Sequence, residues 1–267
     1  MSQRYHILFR TCDIVHSLHN APRPFDLDKR TLIKVCFRSL IEALRPVDHR
    51  IVIIADRLSP EMTTFFESFR EQGHEIEMVH GEYGNDNSLR KQVELALSVP
   101  DDDWVYFVED DYVHTPEAFV WMNDLIVNKD EYITKKTILR QLKFWKTRLD
   151  TIPIVIHTPD YPDRYLPRYL RPSLIFLGKH CHWRQITNTT FTFLIKASSV
   201  KRYKDILFYS CNGADDGYLS RALYGGLRFG DKALCLSPIP GVSTHMHDGV
   251  MTPLVDWASI VDRHRGS

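Results

Sequence analysis

The first half of the chain alternates between two patterns of hydrophobic positions. Short unbroken apolar runs are typical of strands buried on both faces, and apolar residues three and four positions apart are typical of amphipathic helices. The runs predict strands at residues 5–12, 50–55, 75–79 and 104–108. The periodic segments predict a helix at residues 30–44, a helix that begins at Ser59 and Pro60, and a helix at residues 88–97. This alternation predicts an α/β fold with a mostly parallel sheet between layers of helices.

The second half is less regular. The strands and short helices predicted there are strands at residues 174–177, 187–195 and 233–236, and helices at residues 198–203 and 216–224. Residues 133–149 have a basic helical pattern, which predicts a solvated outer helix or, alternatively, contact with an anionic membrane surface. Because no internal repeat, low-complexity tract or linker interrupts the sequence, we expect residues 1–267 to form a single domain.

Composition narrows the class of protein. The chain is 43% hydrophobic and 25% charged, as is ordinary for a soluble globular protein. A formal net charge of zero argues against nucleic acid as the main partner. No apolar run approaches the ~20 residues needed to cross a bilayer, and the amino terminus lacks the pattern of a signal peptide. The five cysteines form no C-x-x-C pair, so we expect reduced thiols and a cytoplasmic location.

Three adjacent carboxylates follow the strand predicted at residues 104–108, and they are the clearest chemical signal in the sequence. Glu109, Asp110 and Asp111 come where an open α/β sheet collects its ligands, outside the carboxyl ends of the strands. Clustered carboxylates repel one another unless a cation lies among them, and oxygen ligands suit Mg²⁺ or Mn²⁺ bridged to phosphates. The cluster therefore predicts a metal–diphosphate site, with an ordinary polar turn as the alternative.

Two later segments carry further candidate groups. Asp215 and Asp216 precede a helical pattern, where Asp is a favoured helix cap but is also able to act as a general base. His245 and His247 lie in a glycine-flanked segment, and in an extended chain their spacing puts both rings on one face. This spacing makes both histidines candidate metal ligands, although a single His is usually structural.

In these residues the sequence resembles the GT-A glycosyltransferases, particularly the large inverting family related to cellulose and chitin synthases. That family has an Asp-x-Asp motif after its fourth core strand, where Glu109-Asp110-Asp111 stands here. The resemblance implies that Asp111 binds the metal while Asp110 or Glu109 faces the ribose or the sugar. The Asp215–Asp216 pair is similar to the family's Glu-Asp segment, which implies that Asp216, or its neighbour Asp215, is the general base.

The resemblance also implies where the donor is held. Arg10, Thr11 and Asp13 end the first predicted strand, where the family grips the base and ribose of its nucleotide. Asp56 ends the second strand and corresponds to a carboxylate that accepts a hydrogen bond from the base. Arg90 lies in a segment similar to the family's Asn…Ala-Arg-Asn, as a phosphate or sugar contact, although the usual small residues are missing. Asp13 and Asp56 have an alternative interpretation as polar loop residues.

Together these features predict a metal-dependent, inverting glycosyltransferase that uses Mn²⁺ or Mg²⁺. Its expected partners are a nucleoside-diphosphate sugar donor and a carbohydrate or lipid-linked acceptor, and the resemblance implies a function in the synthesis of a bacterial surface polysaccharide. We expect residues 1–128 to bind the nucleotide-sugar and residues 129–267 to form the acceptor side. The alternatives are a non-catalytic carbohydrate-binding protein, a sugar nucleotidyltransferase, whose usual Gly-rich signature is missing from residues 10–17, and a two-metal phosphodiesterase.

Overall fold

The computed structural model describes residues 3–14, 23–133, 152–167, 173–225 and 231–266. Within them the strands are β1 (Tyr5–Thr11), β2 (His49–Asp56), β3 (Ile76–Gly81), β4 (Trp104–Glu109), β5 (Tyr112–His114), β6 (Ile154–Ile156), β7 (Ile175–Leu177), β8 (His182–Ile186), β9 (Phe193–Lys196), β10 (Leu234–Ile239) and β11 (Ser243–His245). The α-helices are α1 (Lys29–Leu44), α2 (Pro60–Glu71), α3 (Gly84–Leu97), α4 (Ala118–Val127), α5 (Lys129–Tyr132), α6 (Ala197–Arg202), α7 (Lys204–Ser210), α8 (Asp216–Leu223) and α9 (Trp257–Arg265).

A nine-stranded sheet in the order β3-β2-β1-β4-β9-β6-β10-β8-β7 forms the centre of the described structure. The strands β3, β2, β1 and β4 are parallel neighbours, β9 and β8 run in the opposite direction, and β6, β10 and β7 again run with β1. Helices flank this sheet, so the prediction of an α/β fold with a mostly parallel sheet is confirmed. Strands from both halves of the chain contribute to the one sheet.

Alternation along the central strands divides the core between two helix layers. On β1, Ile7 and Phe9 pack with α1, α2 and α4, whereas Leu8 packs with α3 on the other face. Helix α1 begins where Asp28 accepts hydrogen bonds from the backbone amides two and three residues later. Ser59 caps α2 in the same way and Pro60 is its first residue, as the sequence predicts.

A two-stranded ribbon of β5 and β11 lies outside the main sheet. Its antiparallel register pairs His245 with Tyr112, directly after the carboxylate cluster. Val113 of the ribbon belongs to a third apolar cluster, together with residues of α1 and with Trp257 of α9. The ribbon therefore joins the late histidine segment to the end of β4.

The strand predicted at residues 187–195 is correct only at its end, because residues 193–195 belong to β9 and residues 187–192 form no strand. The chain leaves β8 at Ile186 and enters β9 only at Phe193, with a loop between them. The alternating hydroxyls of this loop make specific bonds: Thr190 Oγ1 lies 2.8 Å from Tyr112 Oη, and Thr192 Oγ1 accepts a hydrogen bond from the Glu109 amide at 3.2 Å. These polar residues therefore hold a loop in place. Their alternation with aromatic residues is the same sequence pattern that a half-buried strand has, so the sequence alone does not distinguish the two.

Several short elements have no clear signal in the sequence. These are α4, α5, α7, α9, β5, β6, β8 and β11. The basic helix predicted at residues 133–149 lies almost entirely outside the described residues. In the described part of the chain, no helix combines the length and the hydropathy needed to cross a membrane.

Candidate active site

A cleft of about 560 Å³ opens beyond the carboxyl ends of β1, β2 and β4. This is the edge at which open α/β sheets bind their ligands. The site residues predicted from the sequence that line it are Arg10, Thr11, Asp56, Glu109, Asp110, Asp111, Asp216, His245 and His247. Asp13, Arg90 and Asp215 are not among its lining residues. Nine of the predicted site residues, from distant segments of the chain, thus meet at one cleft, and the other three lie outside it.

Arg10 and Glu109 are directly paired in the register of β1 and β4, and their side chains form an ion pair at 2.5 Å. Arg10 also donates to Asn85 Oδ1 at 2.6 Å and to Ser88 Oγ at 3.2 Å, which ties the end of β1 to α3. Burial raises the pKa of Glu109, while Arg10 acts in the opposite direction. Arg10 and Glu109 therefore form a charged pair in the cleft, with the guanidinium held in place by α3.

The Asp110 carboxylate connects three secondary-structure elements at the site. Its carboxylate accepts hydrogen bonds from Thr11 Oγ1 at 2.8 Å and from the Cys12 amide at 3.1 Å, and it pairs with Lys29 Nζ at 2.6 Å. These bonds join the end of β1, the end of β4 and the start of α1. Because Asp110 is buried and fully engaged, its carboxylate has a structural part in this arrangement.

Asp111 differs from its neighbour. Its Oδ2 lies 3.0 Å from His245 Nε2, but its Oδ1 is buried and has no hydrogen-bond partner among the residues that the structure describes. Burial on its own raises the pKa of Asp111, but His245, Lys29 and Arg10 outweigh it and hold the pKa well below its usual range. The His245 ring stacks on Tyr112, with ring centres 4.9 Å apart and planes 5° apart. An ionised carboxylate with one unused buried oxygen beside an imidazole is a suitable partial ligand set for a divalent cation.

His247 stands apart from this pair. Its Nδ1 lies 2.7 Å from the Asp248 carbonyl oxygen, and its ring centre is 5.8 Å from that of His245. Among the residues that the structure describes, no three His, Cys, Asp or Glu side chains form a group that could hold a metal ion. Asp111 and His245 would therefore need water or phosphate oxygens to complete a coordination shell, as Mg²⁺ commonly has.

The two acids at the start of α8 have different environments. Asp215 caps the helix, because its Oδ1 accepts a hydrogen bond from the Tyr218 amide at 2.7 Å. Asp216 lines the cleft instead. Partial burial raises the pKa of Asp216, and the adjacent Asp215 raises it further. Of the two candidate bases, Asp216 is thus the one whose side chain faces the space where a substrate would lie.

Asp13 and Arg90 make contacts outside the cleft. The buried Asp13 accepts from the Ser59 amide at 2.9 Å and from Arg30 Nε at 2.9 Å, which anchors the end of β1 to α1 and α2. Burial on its own raises the pKa of Asp13, but its bonds to Ser59 and Arg30 lower it overall. Arg90 lies over the Phe208 ring and donates to Asn212 at 3.1 Å. The donor contacts that the resemblance implies for these residues stay predictions.

Asp56 lines the cleft but is also engaged by the backbone. It accepts hydrogen bonds from the Tyr83 amide at 2.8 Å and the Gly84 amide at 3.1 Å, at the start of α3. Arg57 forms an ion pair with it at 3.2 Å and has a left-handed backbone, with φ at 51°. A carboxylate that already caps a helix has less capacity to bind a base, so its predicted donor contact remains untested.

The sequence analysis missed several residues that line the cleft. The cations among them are Arg23, Lys29 and Arg57, and the uncharged ones include Asn85 and Ser88. Lys29 has a recognisable signal, since it directly follows Asp28, a residue type favoured as a helix cap, at the start of the helix predicted at residues 30–44. Thr190 and Phe191 lie in residues 187–193, where polar and aromatic residues alternate; this pattern is compatible with an acceptor groove or with a half-buried strand, and the pairing of β9 with β4 brings the loop to the cleft.

Comparisons with known proteins add structural neighbours only. No protein-family model matches the sequence, and no curated protein is significantly similar to it. Among solved structures, the chain is similar to residues 1–349 of S. aureus TarS, with 14% identity over 88% of this chain, 60% of that one, and a TM-score of 0.47. It is also similar to the galactosyltransferase LgtC, with 10% identity over 80% of this chain and 69% of that one, and a TM-score of 0.43.

A third neighbour is 4-diphosphocytidyl-2C-methyl-D-erythritol synthase from Anaerococcus prevotii. Here the identity is 8%, over 99% of this chain and 95% of that one, and the TM-score is 0.43. The chain thus spans about three fifths of the TarS fragment. Because identities and TM-scores at this level carry no functional argument, the function is argued below from the residues of the cleft.

Proposed function

We propose that this chain is a metal-dependent, inverting glycosyltransferase of the GT-A type, which moves a sugar from a nucleoside-diphosphate sugar to a hydroxyl acceptor. The observation that carries the proposal is the buried Oδ1 of Asp111, which has no hydrogen-bond partner in the described part of the chain and lies beside His245 in a cleft that Asp216 also lines. The narrower assignment to the family related to cellulose and chitin synthases, and a function in bacterial surface polysaccharide synthesis, remain predictions from the sequence.

Charge in the cleft favours a diphosphate ligand. Arg10, Arg23, Lys29 and Arg57 all line it, around a cluster of carboxylates. A diphosphate brings negative charge that these cations attract, and Arg guanidinium groups match phosphate oxygens in geometry. A divalent cation beside Asp111 would offset the repulsion between the diphosphate and the carboxylates. This combination suits a nucleotide better than it suits a neutral ligand alone.

Asp111 and His245 are the residues that would hold Mn²⁺ or Mg²⁺, and a bound cation would supply charge neutralisation at the leaving diphosphate. Asp216 is proposed as the general base. Its carboxylate accepts the proton of the acceptor hydroxyl while that oxygen attacks the anomeric carbon. A single displacement of this kind inverts the anomeric configuration. The raised pKa of Asp216 strengthens it as a base relative to an ordinary Asp.

The proposal is tested by thermal denaturation in the presence of UDP, GDP, dTDP, CDP, CMP, CTP or UTP, each with Mn²⁺ or with EDTA. A nucleotide at a hundred times its Kd adds about 2.7 kcal/mol to the free energy of unfolding. We expect one nucleoside diphosphate to stabilise the protein only when Mn²⁺ is present. The Asp111→Asn variant should lose this response, and Asp262→Asn, an exposed acid on α9 outside the cleft, should keep it.

Two results would contradict the proposal. Stabilisation by none of the nucleotides would favour a non-catalytic carbohydrate-binding protein. Stabilisation by CTP or UTP but by no diphosphate, with pyrophosphate as the product released from a sugar phosphate, would identify a nucleotidyltransferase instead.

A further inference from the structure

Tyr112 and His245 lie directly opposite each other in the ribbon of β5 and β11. Opposite residues of an antiparallel pair have their side chains on the same face, close enough for aromatic rings to pack together. Here the two rings are nearly parallel, with planes 5° apart and centres 4.9 Å apart. One face of the His245 imidazole is therefore covered by the phenol ring of Tyr112.

The Tyr112 ring is itself held at its far end. Its hydroxyl lies 2.7 Å from Tyr161 Oη and 2.8 Å from Thr190 Oγ1, and Tyr112 is completely buried. Tyr161 packs in turn edge-on against His157, with ring centres 5.4 Å apart. Because hydrogen bonds hold the hydroxyl and the strand holds the backbone, the Tyr112 ring cannot turn away from His245 without breaking buried contacts.

The nitrogen atoms of the His245 ring have different surroundings. Nε2 lies 3.0 Å from Asp111 Oδ2, whereas Nδ1 makes no hydrogen bond to any residue that the structure describes. A metal-binding histidine usually donates from its second ring nitrogen to a carboxylate, a carbonyl oxygen or water, and this bond fixes the plane of the ring. Since no protein group of the described segments does this for His245, the stacked phenol ring is the rigid contact that is left to orient the imidazole.

We propose that Tyr112 is a positioning residue, which keeps the His245 ring in the plane that directs Nε2 at Asp111 and thereby raises the affinity of the site for a divalent cation. The inference rests on the proposed function, in which Asp111 and His245 are the metal ligands. A ligand that is already held in place loses less conformational freedom when the cation binds. Tyr112 is not itself a ligand, since its hydroxyl bonds to Tyr161 and Thr190.

Proton NMR of the metal-free protein tests the stacking on its own. Protons of an imidazole that lies over an aromatic ring are shifted upfield, so we expect this shift for the His245 ring signals, which are assigned by their loss in His245→Ala. At the same pH, Tyr112→Leu should move these signals downfield, because it fills the space without a ring. Tyr112→Phe keeps the ring and should leave them nearly unchanged. Unchanged signals in Tyr112→Leu would overturn the proposal.

Titration with Mn²⁺ then measures the consequence for binding. Free Mn²⁺ is followed by electron paramagnetic resonance in the presence of the stabilising nucleoside diphosphate. We expect Tyr112→Leu to weaken Mn²⁺ binding about tenfold, the lower end of the range for residues that orient metal ligands. Tyr112→Phe loses the two hydroxyl contacts but keeps the stacked ring, so its affinity should stay within a few-fold of the wild-type value. If Tyr112→Leu is too unstable to titrate, Tyr112→Met takes its place, since Met also fills the space without a ring.

Two comparisons separate positioning from a general loss of stability. In the His245→Ala background, Tyr112→Leu should cause no further loss of Mn²⁺ affinity, because no imidazole is left to orient. Tyr5→Leu is the matched control. Tyr5 is also buried and its hydroxyl donates to Asn123 at 2.8 Å, but it lies at the start of β1, away from the cleft. Its loss should lower the free energy of unfolding and leave the Mn²⁺ affinity of the folded protein unchanged.

The two proposals fail in different ways. If wild-type protein binds Mn²⁺ with a nucleotide and Tyr112→Leu binds it equally well, Tyr112 has no positioning function and the proposed function stands. A tenfold loss that persists in the His245→Ala background also overturns the inference, because the effect then does not pass through His245. If wild-type protein takes up no Mn²⁺ with any nucleotide, the proposed function fails and the claim about metal affinity fails with it.

Discussion

The end of β4 and the start of α8 both carry adjacent Asp residues. In each pair, one carboxylate is engaged in hydrogen bonds that hold the fold and the other lines the cleft. At the end of β4, Asp110 accepts hydrogen bonds from three donors, while one buried oxygen of Asp111 has no partner within the described segments. At the start of α8, Asp215 caps the helix while Asp216 faces the cleft. The regions differ in environment, since Lys29 forms an ion pair with Asp110 but Asp216 forms no such pair among the described residues.

Two adjacent Asp residues therefore have different functions in each region. The saturated member of each pair fixes the backbone from which its neighbour projects. A substitution in the saturated member should therefore act mainly on folding, and one in the unsaturated member mainly on binding or chemistry. Four changes, from the largest expected effect to the smallest, separate these outcomes.

The largest effect is expected from Asp216→Asn. Loss of a general base typically lowers the rate of the chemical step by roughly 10²–10⁴-fold. Nucleotide binding with Mn²⁺ should stay unchanged, because Asp216 is not among the proposed metal ligands. The measurement is the kcat of sugar transfer alongside the Kd of the nucleotide. A variant with normal kcat would remove Asp216 from the chemistry and return attention to Asp215.

The next effect is expected from Asp110→Ala, which leaves Lys29 in a largely buried place without its partner. Breaking such a pair lowers the free energy of unfolding by about 3 kcal/mol or more. Urea denaturation measures this loss. Replacing Lys29 by Met in the same protein should recover part of the stability, since the uncompensated charge is then gone. Equal stability of Asp110→Ala and the wild-type protein would contradict the structural part assigned to Asp110.

A smaller effect is expected from Asp215→Ala. Removing a helix cap lowers the free energy of unfolding by about 1 kcal/mol. The kcat of transfer should remain within a few-fold of the wild-type value, since Asp216 is retained. A loss of transfer as large as that of Asp216→Asn, with stability unchanged, would identify Asp215 rather than Asp216 as the general base.

The smallest effect is a displacement of the pH profile. Because the pKa of Asp216 is raised above its ordinary value of 3.8, the rate should begin to fall at a higher pH than an ordinary Asp would give. The base acts only when ionised, so the rate is lost as pH falls through this pKa. The acidic limb of the kcat profile should be missing from the residual activity of Asp216→Asn. An unchanged limb in that variant would assign it to another group.

The sequence predicted the parallel part of the fold well. Strands β1 to β4 and helices α1 to α3 have strong local patterns, and their ends carry Arg10, Asp56 and Asp111 to one edge of the sheet. The second half of the fold was harder to predict from the sequence, because β6, β8 and β9 are short and their positions depend on pairing with strands far away in the chain. The different hydrogen bonding of Asp110 and Asp111 could not be predicted either, because it depends on where the fold places Lys29 and His245.

Direct measurement of Mn²⁺ binding tests the central claim, namely that Asp111 holds the cation of a nucleotide site. Electron paramagnetic resonance reports free Mn²⁺ as it is titrated with wild-type protein, Asp111→Asn and Asp262→Asn, each with the stabilising nucleoside diphosphate. We predict that wild-type protein and Asp262→Asn take up about one Mn²⁺ per chain and that Asp111→Asn takes up little, although its stability without ligand is retained. Equal uptake by Asp111→Asn and the wild-type protein would contradict the account.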